Sequence, residues 1–256
     1  MAPTSEIGCP VSERIRHIWR DPLEKPAGLL HVMAVASRIN GSLGAMRITP
    51  QTPTSGTDQF SLEIARARAD IILTSGAILR SEPDLQHGIS PPATVWRQEV
   101  LGKTDPPEII FISRGQAIPF DHPALQQPGA TLATGSATTP QFMREVHRLG
   151  IRHRKLPGDS PKALVDQLLS AKMRTITLEC GPSTAAEFYQ DSIRVDELML
   201  SWCHGFELPD SLNAGAVESP AGLRRHFGSP RSEYAADDFG HRWSFSRWVA
   251  PGEFGA

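Results

Sequence analysis

Three cysteines in 256 residues, Cys9, Cys180 and Cys203, lie far apart and form no C-x-x-C pair. That spacing excludes a disulfide framework or a cysteine-built zinc site, and a reducing compartment, the cytoplasm, is expected. There is no long Lys/Arg run and the net charge is only −2, which removes the electrostatic basis for a nucleic acid or an anionic membrane as main partner. No run of 18 apolar residues occurs, so no membrane span is expected. The start, MAPTSEIGCPVSERIRHIWR, has no apolar h-region and does not read as a secretory signal. Arg14, Arg16 and Arg20 suggest a transit peptide, but Glu6 and Glu13 argue against one. Internal repeats and low-complexity tracts are missing, and the nine histidines form no i, i+4 pair with carboxylate support. No metal ligand set is therefore expected.

What is present is an alternation of apolar runs and capped helical segments. LLHVMAVAS (29–37) is nearly continuous in apolar residues, as in a strand covered on both faces. A polar stretch at 42–57 offers Thr54, Ser55 and Thr57 as caps for a helix through DQFSLEIARARA. DIILTS (70–75) predicts a strand followed by Gly76 and a loop through Pro83. Residues 86–107 read as surface loop with a short helix near TVWRQEVL. EIIFIS (108–113) and GATLATG (129–135) are further buried strands. TPQFMREVHRLG (139–150) and SPKALVDQLLSAKM (160–173) share one helix grammar, a Thr or Ser cap followed by proline, and IRHRKLP between them suits an edge strand. TITL, DELMLSW and HRWSFSRWV complete the strands, the last one antiparallel. Trp243, Phe245 and Trp248 are expected to pack that strand or a dimer seam. Residues 1–27 are expected to form a partly ordered arm, 28–250 a single domain and 251–256 a tail. Alternating strands and helices predict an α/β fold, a mostly parallel central sheet with helices on both faces.

The stretch TITLECGPSTAAEF (175–188) ends a strand in Glu179 and passes through Gly181-Pro182 into a helix start at Ser183 and Thr184. Such a turn lets backbone approach a phosphate, with Gly181, Ser183 and Thr184 as N–H donors because Pro182 has none. It also suits an ordinary strand-to-helix connection. A carboxylate such as Glu179 at a strand end can bind sugar hydroxyls or an iminium, or be a surface acid. Arg66 can hold a phosphate bidentately, or be a solvated helix residue like Arg68 beside it.

Three segments, ILTSGAILRSEPDL (72–85), LECGPSTAAEF (178–188) and VDELMLSW (195–202), together resemble the reductase domain of riboflavin-biosynthesis deaminase-reductases. ASRINGSLG (36–44) is similar to that family's Ser-Leu-Asp-Gly stretch with changes, and the resemblance runs over roughly residues 29–250. It implies a dihydrofolate-reductase-like fold, a homodimer, and NADPH-dependent reduction of a ribosylaminopyrimidine phosphate from ribosyl to ribityl. The deaminase signatures H-x-E and P-C-x-x-C are absent, so a stand-alone reductase is expected. The resemblance assigns substrate contacts to Arg66, Leu85 and Glu179, and a catalytic role to Glu179 and to Asn40, which stands where the family has its acid. It assigns cofactor contacts to Ala36, Gly76, Ser113, Arg114, Gly181, Pro182, Ser183 and Thr184, with Arg114 placed to meet a 2′-phosphate. Departures gather on the substrate side: Arg38-Ile39-Asn40-Gly41 lacks the acid, and Gly88 replaces a second arginine after Leu85. An altered substrate, or a degenerate domain kept as a subunit or scaffold in a larger assembly, is the alternative expectation.

Overall fold

The computed structural model describes residues 9–47, 49–170, 174–190, 193–216 and 219–251. Residues 1–8 of the expected arm, 252–256 of the expected tail and 171–173 of the helical segment at 160–173 lie outside them. One sheet organises the chain. Its strands run in the order β10 (Ser232–Asp238), β11 (His241–Val249), β8 (Glu197–Glu207), β1 (Gly28–Ser37), β7 (Thr175–Leu178), β3 (Ile71–Ser75), β4 (Glu108–Ser113), β5 (Ala130–Thr134) and β6 (His153–Lys155). From β8 to β6 all neighbours are parallel, while β11 and β10 add antiparallel strands. Two short strands, β2 (Leu43–Met46) and β9 (Asn213–Ala216), extend β1 as an antiparallel flap. This is the expected α/β architecture.

The parallel strands read as unbroken apolar runs because both faces are covered. On one face Leu29, Leu73, Ile110, Ile176 and Leu178 pack under α6 (Pro161–Leu169) and α8 (Pro220–Phe227). On the other, α1 (Pro10–Trp19), α2 (Gly56–Arg68) and α4 (Pro91–Glu99) cover β1, β8 and β11, and α5 (Pro140–Arg148) covers β4 and β5. Trp243 and Phe245 lie in this second core and Trp248 in the first, so all three pack their own strand.

Residues 9–27 are not a loose arm. Val11, Ile15, Ile18 and Trp19 recur at helical spacing and are buried along α1, and Trp19 stacks on Phe60 of α2 at 5.9 Å. The loop expected after Gly76 is also corrected, since α3 spans Gly76–Ser81. The helix starts directly at the strand end, and Gly76 packs tightly there, where a Cβ would lie 3.2 Å from Ile118 Cγ2. Of the candidate caps, Ser55 accepts the amides of Thr57 at 3.1 Å and Asp58 at 3.2 Å. The Asp238 carboxylate adds the amide of Gly56 at 2.7 Å, tying the α2 start to the β10–β11 hairpin.

Arg68 is not solvated. It meets Glu197 at 2.7 Å, with side chains 2% and 3% exposed. Arg247 closes on the same carboxylate at 2.8 Å and also reaches Asp21. Burial opposes the charge on Glu197, but Arg68 and Arg247 outweigh it and hold the carboxyl down to about 2.

Candidate active site

β7 stops opposite His31, yet β1 continues to Ser37. The end of β7 therefore opens the middle of the sheet, between β1 and β3. Strands added after β3 run outward to β6, and β7 and β8 return to the other side, so this is where the winding reverses. Carboxyl ends at such a reversal are where open α/β sheets bind ligands.

Glu179 stands there, its amide still on the ladder to the Leu73 carbonyl at 2.8 Å. Arg66 comes from the third turn of α2, which is docked on β7 by the Thr177 hydroxyl donating to the Ala65 carbonyl at 2.9 Å. The two candidate substrate residues meet each other. Arg66 Nε donates to Glu179 Oε1 at 2.9 Å and Nη2 to Oε2 at 2.7 Å, a bidentate pair with side chains 14% and 8% exposed. Nη1 is directed at the Gly88 carbonyl at 3.4 Å. Burial works against the charge of Arg66, but Glu179, with Glu82 and Glu63, holds it above the usual guanidinium value. A cleft of about 610 Å³ along α2 is lined by Arg66, Glu63, Gln59 and Gly88, with Arg14 over the Phe60 ring.

His87 completes the cluster. Its ring is fully buried, lies edge-on to Phe111, and approaches Glu179 Oε2 to 3.8 Å. Neither ring nitrogen has a hydrogen-bond partner. Burial lowers its pKa, with Arg66 and His122 adding to the effect against Glu179, so the ring is neutral at neutral pH. Glu82 moves the other way, raised by burial and by Glu179. Nothing in the sequence singled out His87, because a lone histidine in an aperiodic loop carries no pattern. Leu85 is half-buried in the same loop, its amide turned back to the Glu82 carbonyl.

The cofactor candidates divide. Gly76, Ser113, Arg114 and Gly181–Thr184 converge at the carboxyl ends of the adjacent strands β3, β4 and β7. A Cβ on Gly181 would meet nothing within 4 Å, so its backbone faces open space. The Ser113 hydroxyl is buried without a partner. Both features suit the phosphate-bearing spine of a dinucleotide, which needs close backbone approach and unused donors. Three of these candidate positions already have local partners or packing. The helix after Gly181 is a single turn, Pro182–Ala185, too short for a useful macrodipole, and the Thr184 amide is already donated to the Gly181 carbonyl at 3.0 Å. Gly76 faces packed side chains rather than space. Arg114 is ion-paired with Glu187 instead of standing free.

Ala36 lies further along β1, and Asn40 lies in the hairpin that follows it. Ala36 is fully buried in the core under α2, its strand hydrogen-bonded on both sides to Gly44 and Cys203. Asn40 sits exposed at the tip of the β1–β2 hairpin, where its side chain accepts the Ser42 amide at 3.0 Å and the Ser42 hydroxyl at 2.7 Å. That is turn chemistry: an Asx residue closing the hairpin on itself.

No protein-family model matches the chain. No curated protein sequence matches it either. Solved structures do. A pyrimidine reductase-like protein from Corynebacterium diphtheriae superposes with a TM-score of 0.63 at 17% identity, covering 89% of this chain and 93% of that one. Acinetobacter baumannii RibD, in two forms, gives TM-scores of 0.57 and 0.56 at 16% identity over 90% of this chain. This chain spans 59–60% of the RibD chains. The shared property is the fold, a pyrimidine-reductase-type α/β sheet.

Proposed function

We propose that the chain is a nicotinamide-dependent reductase of a small polar carbonyl or imine compound, drawn from the ribosylaminopyrimidine class that the resemblance implies. The observation that carries this reading is a juxtaposition. The open Gly181 backbone and the unbonded Ser113 hydroxyl lie at the same strand ends as the buried Arg66–Glu179–His87 cluster. In this reading Ser113, Gly181 and Ser183 hold the dinucleotide spine, and Arg114 turns from Glu187 to its 2′-phosphate. A bound nicotinamide supplies the hydride, so the protein's part is binding, orientation and exclusion of water. Glu179, fixed by Arg66, presents its remaining oxygen lone pairs to hydroxyl or N–H donors of the substrate. The test is NADPH consumption with a panel of ribosylaminopyrimidines and small carbonyl compounds. Turnover by the wild type, reduced at least tenfold in Glu179→Gln, supports the reading; turnover unaffected by the substitution contradicts this site.

One observation favours a second reading, a degenerate domain retained as a subunit. The buried His87 ring lies against Glu179, and little of the carboxylate is accessible. On that reading the wild type neither binds nor consumes NADPH.

A further inference from the structure

We infer that the substrate reaching Glu179 carries no phosphate for Arg66 to hold, and that Glu179 is the residue imposing this selectivity. The inference rests on the reductase reading only in calling that ligand a substrate. Its physical content is a charge count inside one closed cluster. Arg66 is the cation at the strand end, and Glu179 already takes two of its donor nitrogens in a bidentate pair while the Gly88 carbonyl takes a third. The charges of Glu82 and Glu63 also favour the protonated guanidinium, so three carboxylates act on one arginine. His87 adds no positive charge, being neutral and buried. Arg14 is the other arginine lining the adjoining cleft, but it is exposed and committed to the Gly56 carbonyl at 3.0 Å and the Phe60 ring.

A phosphate dianion taking the Nε–Nη2 edge of Arg66 would have to displace Glu179 from it, and one approaching Nη1 would compete with the Gly88 carbonyl for a guanidinium whose charge Glu179 already balances. The displaced carboxylate, 8% exposed, would then stay unpaired beside two new negative charges. Breaking a buried pair while leaving one partner in place is strongly unfavourable. Uncharged and cationic ligands meet no such barrier. Glu179 Oε1, which accepts a single arginine bond, retains acceptor capacity, and a neutral imidazole offers one donor and one acceptor. The cluster thus suits a donor-rich, uncharged or cationic group, such as a sugar hydroxyl pair, an aminopyrimidine edge or an iminium.

The experiment compares binding of ribose 5-phosphate and inorganic phosphate by calorimetry in four proteins: wild type, Glu179→Gln, Arg66→Ala and the double variant. The wild type is expected to bind both weakly, and Arg66→Ala to leave those affinities unchanged. Glu179→Gln frees the guanidinium and should bind both at least tenfold more tightly, a gain lost again in the double variant. A tenfold loss of phosphate affinity in Arg66→Ala overturns the inference, as does a folded Glu179→Gln that gains nothing. If Glu179→Gln does not fold, the wild-type and Arg66→Ala comparison still decides. NADPH titrated into the same wild-type sample reports on the reductase reading separately. Its failure to bind removes that reading and leaves the phosphate result to stand or fall by itself.

Discussion

Arg114 shows how one contact can engage a residue that the sequence puts at a strand end. It follows a buried strand and reaches past the strand end, as a 2′-phosphate ligand must, but Glu187 holds it. On the proposed reading, cofactor choice is a competition between the Glu187 carboxylate and an incoming phosphate. Glu187→Gln should widen the preference for NADPH over NADH, and Arg114→Ala should erase it by about tenfold, NADH affinity staying nearly constant. Parallel fluorescence titrations check this, and an unchanged preference in Arg114→Ala places the 2′-phosphate elsewhere. Arg66 and Glu179 were legible as candidates, but their mutual pairing was not. They lie 113 positions apart and meet only because α2 docks on β7. Asn40 was legible only by its place in a motif, and the turn it closes with Ser42 shows only in the structure.

Elements were legible in proportion to how completely they are buried. β1, β3, β4 and β7 read as apolar runs because parallel strands hide both faces, and α2, α5 and α6 announced themselves through Ser55, Thr139 and Ser160 caps. β10 did not, since an edge strand packs one face only and SEYAADD is mostly acidic and small. α1 was obscured by its arginines, although its apolar stripe is intact. Its burial carries a prediction. Ile15→Ala should destabilise the fold by about 2–5 kcal/mol in urea melts, because the side chain is fully buried; an unchanged midpoint would restore the loose arm. The joint between α2, β8 and β11 makes another. Glu197→Gln strands Arg68 and Arg247 in the interior and should cost about 3–5 kcal/mol at pH 7. The carboxyl is held near 2 in the folded chain against an ordinary 4.5. A depressed folded pKa stabilises above the unfolded value and is lost as pH falls through the folded one. The gap between wild type and variant should therefore be full above about pH 4.5 and shrink toward pH 2. A gap independent of pH over that range would mean that Glu197 is not ionised in the fold.

At the scale of the molecule, the winding of the sheet explains why chemistry gathers at one point. β7 enters between β1 and β3 and ends early, leaving Glu179 and Gly181 at a break where the outward and returning halves diverge. No local pattern reveals that break; the order of strands does. Among the described residues no helix is long and apolar enough to cross a membrane. The central claim is that a dinucleotide lies along this edge, and calorimetric titration of NADPH into the wild type and Gly181→Val tests it most directly. A valine Cβ meets no protein atom within 4 Å there and Gly181 has no left-handed φ, so the variant should fold and melt like the wild type. The account predicts saturable binding of one NADPH per wild-type chain and its loss in folded Gly181→Val. Absence of binding to the wild type, or equal affinity in both proteins, would contradict it.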